Sequence, residues 1–213
     1  MGDEDGENMA IAVSAWFDMQ TESRVRDIWW TLAEAGLART LHDGPYRPHV
    51  TLAVYDAIDR REFTATLRAR LSALEPFPVV FSGLGAFLNK PPTLFLGVTQ
   101  SKRLRQIHLG VHELLAAVGS GPVAYHLPDS WNPHCSLALE LPGAAFPRAV
   151  ELLSTLALPF DGMVDRVGII DTPAEVELEV LPLGAAQSPP NTAISRRPTS
   201  QAAADRERQT NEA

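Results

Sequence analysis

A chain of 213 residues suits one domain, or two small lobes sharing a core. Its formal charge of −8 excludes a general nucleic-acid coat protein, which needs many Lys and Arg to displace counterions, and leaves room for a small anionic ligand in a local pocket. Cys135 stands alone, so there is no internal disulfide and no Cys-rich zinc knuckle.

Residues 1–9 open with acids, Asp3, Glu4, Asp5 and Glu7, and are expected to be disordered. The apolar run 10–18 predicts a strand, and Thr21 is placed to cap a helix that runs until Gly36 weakens it. A strand follows at 49–55. A helix over 61–75 is stopped by Pro76 and Pro78, and a further apolar segment spans 79–88. After the turn Asn89-Lys90-Pro91-Pro92 the order repeats: a strand at 93–99, a helix from 102 to 118 bounded by Gly119 and Gly121, a strand at 134–141, a helix at 145–157, and strands near 162–171 and 175–183. The second half has the plan of the first. From residue 184 to 213 the composition turns to Pro, Ser, Gln and charges with one large aliphatic, Ile194, which predicts a disordered tail. No apolar run approaches the roughly 18 residues of a membrane span, and the acidic N-terminus lacks a basic leader. The expected location is the cytoplasm.

Two segments match: Pro48-His49-Val50-Thr51-Leu52-Ala53 and Pro133-His134-Cys135-Ser136-Leu137-Ala138. With six His and 25 Ser plus Thr, chance supplies roughly 0.7 His-x-hydroxyl matches in the chain, so one copy means little. Two copies in the same six-residue frame, at the same point of two similar half-chains, call for a common cause. On a regular strand, residues two apart share a face. That places His49, Thr51, Ala53 and Tyr55 on one face with Val50, Leu52 and Val54 opposite, and His134, Ser136, Ala138 and Glu140 on one face with Cys135, Leu137 and Leu139 opposite. Brought side by side, the strands put two imidazoles and two hydroxyls on one groove floored by small alanines.

On these motifs the chain resembles the two-histidine (2H) phosphoesterases, which include the bacterial 2′-5′ RNA ligase-like proteins and 2′,3′-cyclic nucleotide phosphodiesterases. The likeness spans roughly residues 10–183 and extends to the segment 83–98, similar to the family's central strand pair. It implies an α+β fold, duplicated and bilobal, with antiparallel sheets around a central groove and a pseudo-twofold axis. It also implies that His49, Thr51, His134 and Ser136 are the catalytic residues. Many members carry a basic residue a few positions after each motif. Here those stretches read Ala53-Val54-Tyr55 and Ala138-Leu139-Glu140, which leaves the phosphate charge to the histidines with Arg47 and Lys90.

Histidine coexists in both protonation states near neutrality, so one of His49 and His134 can act as base towards water and the other as acid towards the leaving ribose oxygen. Thr51 and Ser136 would donate to the non-bridging oxygens as charge builds. The expected activity is hydrolysis of 2′,3′-cyclic phosphate ends of RNA or of small cyclic nucleotides, with ATP-independent 2′-5′ ligation and a phosphate-binding module without turnover as alternatives. The expected partner is a nucleotide or an RNA terminus bearing cyclic phosphate, not DNA and not a membrane. The scheme needs no metal and no cofactor, and a monomer suffices. Tyr55, Trp131, Phe87 and Tyr46 are candidates to stack on the base, Trp131 first among them. His108 and His112 have the i, i+4 spacing of metal ligands, but a zincin's Glu is misplaced, so an exposed helix face is expected. His42 and His126 sit in loops leading to the motifs, where they can line the groove, with loop residues of no special role as the favoured reading; Cys135 reads as a buried, inert thiol.

Overall fold

The computed structural model describes residues 10–184. In chain order these form β1 (Ile11–Phe17), α1 (Met19–Glu34), α2 (Thr40–Asp43), β2 (His49–Ile58), α3 (Arg60–Leu71), β3 (Phe77–Phe87), β4 (Thr93–Val98), α4 (Lys102–Val118), β5 (Gly119–Pro122), a 3₁₀ turn at Ala124–His126, β6 (His134–Ala138), α5 (Ala145–Leu153), β7 (Phe160–Asp171) and β8 (Val176–Pro182). The expectations for residues 1–9 and 185–213 fall outside the described residues.

The helix starts follow side-chain caps. Asp18, Asp59 and Ser101 accept from the backbone N–H of Thr21, Glu62 and Leu104 at 2.9, 3.1 and 3.2 Å, opening α1, α3 and α4. Asp18, not Thr21, is thus the cap of α1. Thr21 instead accepts at its hydroxyl oxygen from Met163 N–H at 3.0 Å, tying the helix to β7. The predicted helices over 61–75 and 145–157 end sooner, at Leu71 and Leu153.

All strand pairings are antiparallel, in one sheet with the order β5-β2-β1-β7-β3-β4-β6 and β8 added to β7. The fold is α+β with a built-in repeat. Exchanging β1 with β4, β2 with β6 and β7 with β3 turns the run β2-β1-β7-β3-β4-β6 into its own reverse, so a pseudo-twofold passes between β7 and β3. Strand β7 joins the halves: Phe160–Val164 pairs with β3 and Val164–Asp171 with β1. The helices obey the same exchange, because α1 packs on β6 while α4 packs on β2. β2 and β6 also lie against each other without pairing, which brings the two motifs together. The duplicated fold is as expected, although the two halves share one continuous sheet.

Core side chains come from both halves, with Phe17, Leu52, Phe81, Leu96, Leu104 and Leu137 almost wholly buried. At about 25 cal/mol per Å² of apolar surface, burial on this scale is the main force holding the strands in register.

Candidate active site

Each motif strand carries a β-bulge at the same place. Across β1, Val13 faces Ala53 and Ser14 faces Thr51, so Leu52 is the extra residue; across β4, Leu94 faces Ala138 and Phe95 faces Ser136, so Leu137 is extra. The bulges explain why Leu-Ala comes after the hydroxyl in both copies. Leu52, Ala53, Leu137 and Ala138 are all buried in the core, where the strict alternation of a regular strand would have put the alanines in the groove. In β2 the bulge also reverses the facing of the next residues. Val54 turns out to line the groove, and Tyr55 turns in, only 5% exposed, with its hydroxyl against His112 Nδ1 at 3.2 Å. Tyr55 therefore does not reach the groove to stack on a base.

His49 and His134 are partly buried and held in the same way. His49 Nδ1 donates to the carbonyl of Arg47 at 2.6 Å, and His134 Nδ1 donates to that of Asn132 at 2.7 Å. A carbonyl can only accept, so each neutral ring carries its proton on Nδ1 and keeps Nε2 as the basic atom. The rings are near enough that positive charge on His134 lowers the pKa of His49. For His49 the largest cause of its lowered pKa is desolvation, opposed by the bond to Arg47; His134 is lowered by desolvation too, against the bond to Asn132.

The backbone beside each hydroxyl is anchored by an indole. Trp131 Nε1 donates to the carbonyl of Thr51 at 2.9 Å, and Trp29 Nε1 donates to that of Ser136 at 3.0 Å. Trp131 is 7% exposed and stacks flat on His108, centroids 3.8 Å apart, so it belongs to the core behind the site and offers no face to a base.

The groove has two sides that meet at Thr51. On the His134 side, a cavity of about 530 Å³ is lined by Phe87, Asn89, Tyr125, His126, Ser130 and Asn132 together with Thr51 and His134. Phe87 stands edge-on to His134 at 4.9 Å, and Phe95 lies beside the same ring at 5.1 Å. On the His49 side, a cavity of about 210 Å³ includes Trp16, Tyr46, Arg47, Glu175 and Glu177 in its walls. Trp16 packs against Gly168 of β7, where an added Cβ would overlap the indole.

Arg47 lines this side but is already engaged. It donates to Glu22 and to Glu177, both at 3.1 Å, and its guanidinium lies 4.8 Å over the Trp16 ring. Tyr46 gives its hydroxyl to Glu175. Lys90 sits exposed in the 89–92 turn, beside the cavity-lining Asn89 but not itself in the wall. Cys135 is 1% exposed and its thiol is pushed up to about 12 by burial.

His108 and His112 are buried, at 1% and 8% exposure, instead of forming an exposed helix face. Their Nε2 atoms both donate to the carbonyl of His126, each at 2.9 Å. The i, i+4 histidines thus point into the protein and hold the turn that carries His126, which lines the cavity instead of being a loop residue of no special role. Among the described residues no group of three or more His, Cys, Asp or Glu is arranged to hold a metal ion, and no helix is long and apolar enough to cross a membrane.

The comparisons agree with this architecture. E. coli LigT, complexed with NADP+, superposes with a TM-score of 0.52 at 15% identity, covering 84% of this chain and 99% of that one. TT0787 of Thermus thermophilus does so with a TM-score of 0.52 at 18% identity, covering 84% and 100%. No curated protein matches. A family model described as the 2′-5′ RNA ligase superfamily matches residues 39–174, which take in both motifs and their bulged strands but not β1. The chain belongs to the 2′-5′ RNA ligase superfamily, the two-histidine phosphoesterases.

Proposed function

We propose that the protein is a phosphodiesterase that opens the cyclic phosphate of a 2′,3′-cyclic nucleotide, or of an RNA end bearing one, with His49 and His134 as the acid and base pair. The observation that carries this reading is the duplicated Nδ1 bond to the carbonyl two residues back, which keeps Nε2 as the basic atom of each ring, with the rings lining two cavities that meet at Thr51. Charge on His134 disfavours charge on His49, so the two rings resist being protonated together.

The neutral ring takes a proton from water as its oxygen bonds to phosphorus. The bond from phosphorus to one ribose oxygen breaks, and the protonated ring gives its proton to that oxygen. The product is a 2′- or 3′-monophosphate. Thr51 and Ser136, whose backbones are fixed by Trp131 and Trp29, donate their hydroxyls to the non-bridging oxygens as charge develops. The aromatic and amide walls on the His134 side suit a nucleoside. With Tyr55 and Trp131 in the core, Phe87 and Tyr125 are the stacking surfaces on that side. The reading requires no cofactor or metal.

Ligation along an extended RNA is the less favoured direction, because Arg47, the cation beside His49, is neutralised by Glu22 and Glu177. Incubation of the full chain with 2′,3′-cyclic AMP tests the reading. A monophosphate product is expected, and saturable binding without product would make the groove a binding module.

A further inference from the structure

We propose that His126 is a third imidazole of the site, a neutral hydrogen-bond donor to the phosphate of the bound ligand, positioned by His108 and His112. It rests on the reading of the groove as a phosphate site.

His126 is 8% exposed, and it lines the same cavity as Thr51 and His134. Its main-chain carbonyl takes two hydrogen bonds from α4, while its ring nitrogens bond to no protein group among the described residues. A mostly buried ring that lines a cavity and bonds to none of the described residues is available to a ligand. Its backbone is unusually well fixed. His112 Nε2 donates to the carbonyl of Leu52 at 3.2 Å as well as to that of His126, so one imidazole ties the His126 turn to the bulge beside Thr51.

The surroundings determine what the ring can offer. Desolvation and the neighbouring His134, His108, His112 and His49 hold its pKa down to about 4, so near neutral pH it carries no charge. It is therefore unsuited to be the protonated acid. A neutral imidazole has one N–H and one lone pair, and phosphate oxygens only accept, so the N–H is what meets them.

The test uses the full chain with His126→Ala and His126→Asn, reading inorganic phosphate affinity by calorimetry and kcat and KM on 2′,3′-cyclic AMP. Loss of one bond to a charged group predicts that His126→Ala weakens phosphate binding and raises KM about tenfold, with kcat changed less than about threefold. His126→Asn, which keeps an N–H near the position of Nδ1, recovers most of that loss. Phosphate affinity and KM within about twofold of wild type in His126→Ala would overturn the inference, as would equal impairment of Ala and Asn, which marks a packing role. A wild type that binds phosphate through His126 but turns over no cyclic nucleotide would sink the proposed activity and leave the inference standing.

Discussion

Trp131 and Thr51, 80 residues apart in sequence, are joined by a 2.9 Å hydrogen bond from the indole N–H to the backbone carbonyl. The bond lies beside the bulge of β2, where ladder pairing is locally disrupted. Trp29 does the same for Ser136 from the other half of the fold.

Replacing Trp131 with Phe removes this donor while keeping an aromatic ring over His108. An unsatisfied buried carbonyl costs roughly 1–3 kcal/mol, so denaturant unfolding should show a loss of that order. Activity on 2′,3′-cyclic AMP should fall as well, through kcat, because Thr51 loses its anchor. Unchanged stability would show that the indole bond adds nothing.

His49→Ala and His134→Ala should each reduce kcat by ~10²- to 10⁴-fold, the usual worth of a positioned acid or base. Arg47→Ala should cost far less, because its charge is spent on Glu22 and Glu177. Steady-state rates of the three variants check this ordering.

The pH profile is set by the directions of the two shifts. Both histidines lie below their usual 6.5, so the free enzyme with one ring protonated and one neutral is most populated on the acid side of that value. A profile of kcat/KM should peak below pH 6.5 and decline above it, as the acid loses its proton. A plateau reaching pH 8 would contradict the assignment.

Stability should depend on pH through the buried histidines. His108 and His126 titrate near 4 in the fold and near 6.5 when unfolded, so between these values the unfolded chain binds more protons. The stability they contribute is complete above about pH 6.5 and is lost as pH falls through about 4. The melting temperature should drop over that window, and His108→Gln should flatten the drop.

The element order and the duplicated motif are readable from the chain because strand and helix periods are local signals. Pro48-His49 and Pro133-His134 mark the starts of β2 and β6 closely. The bulges are not readable, since a bulge is set by the partner strand's register. That is why Tyr55 and the two alanines face the core when simple alternation turns them outward. Trp131 departs from expectation, and His126 from the favoured of its two readings, for a related reason. Their surroundings come from α4 and β2, more than ten residues away in sequence, and only the folded contacts show that one is buried behind the site and the other lines it.

The central claim is that His49 and His134 address one phosphorus atom. The most direct measurement is the set of distances from phosphate bound to the crystalline protein to the two Nε2 atoms. One anion within hydrogen-bond reach of both, at about 2.6–3.2 Å, is the predicted result. An anion that touches only one of the two rings, or that settles elsewhere on the protein while both rings stay empty, would contradict it.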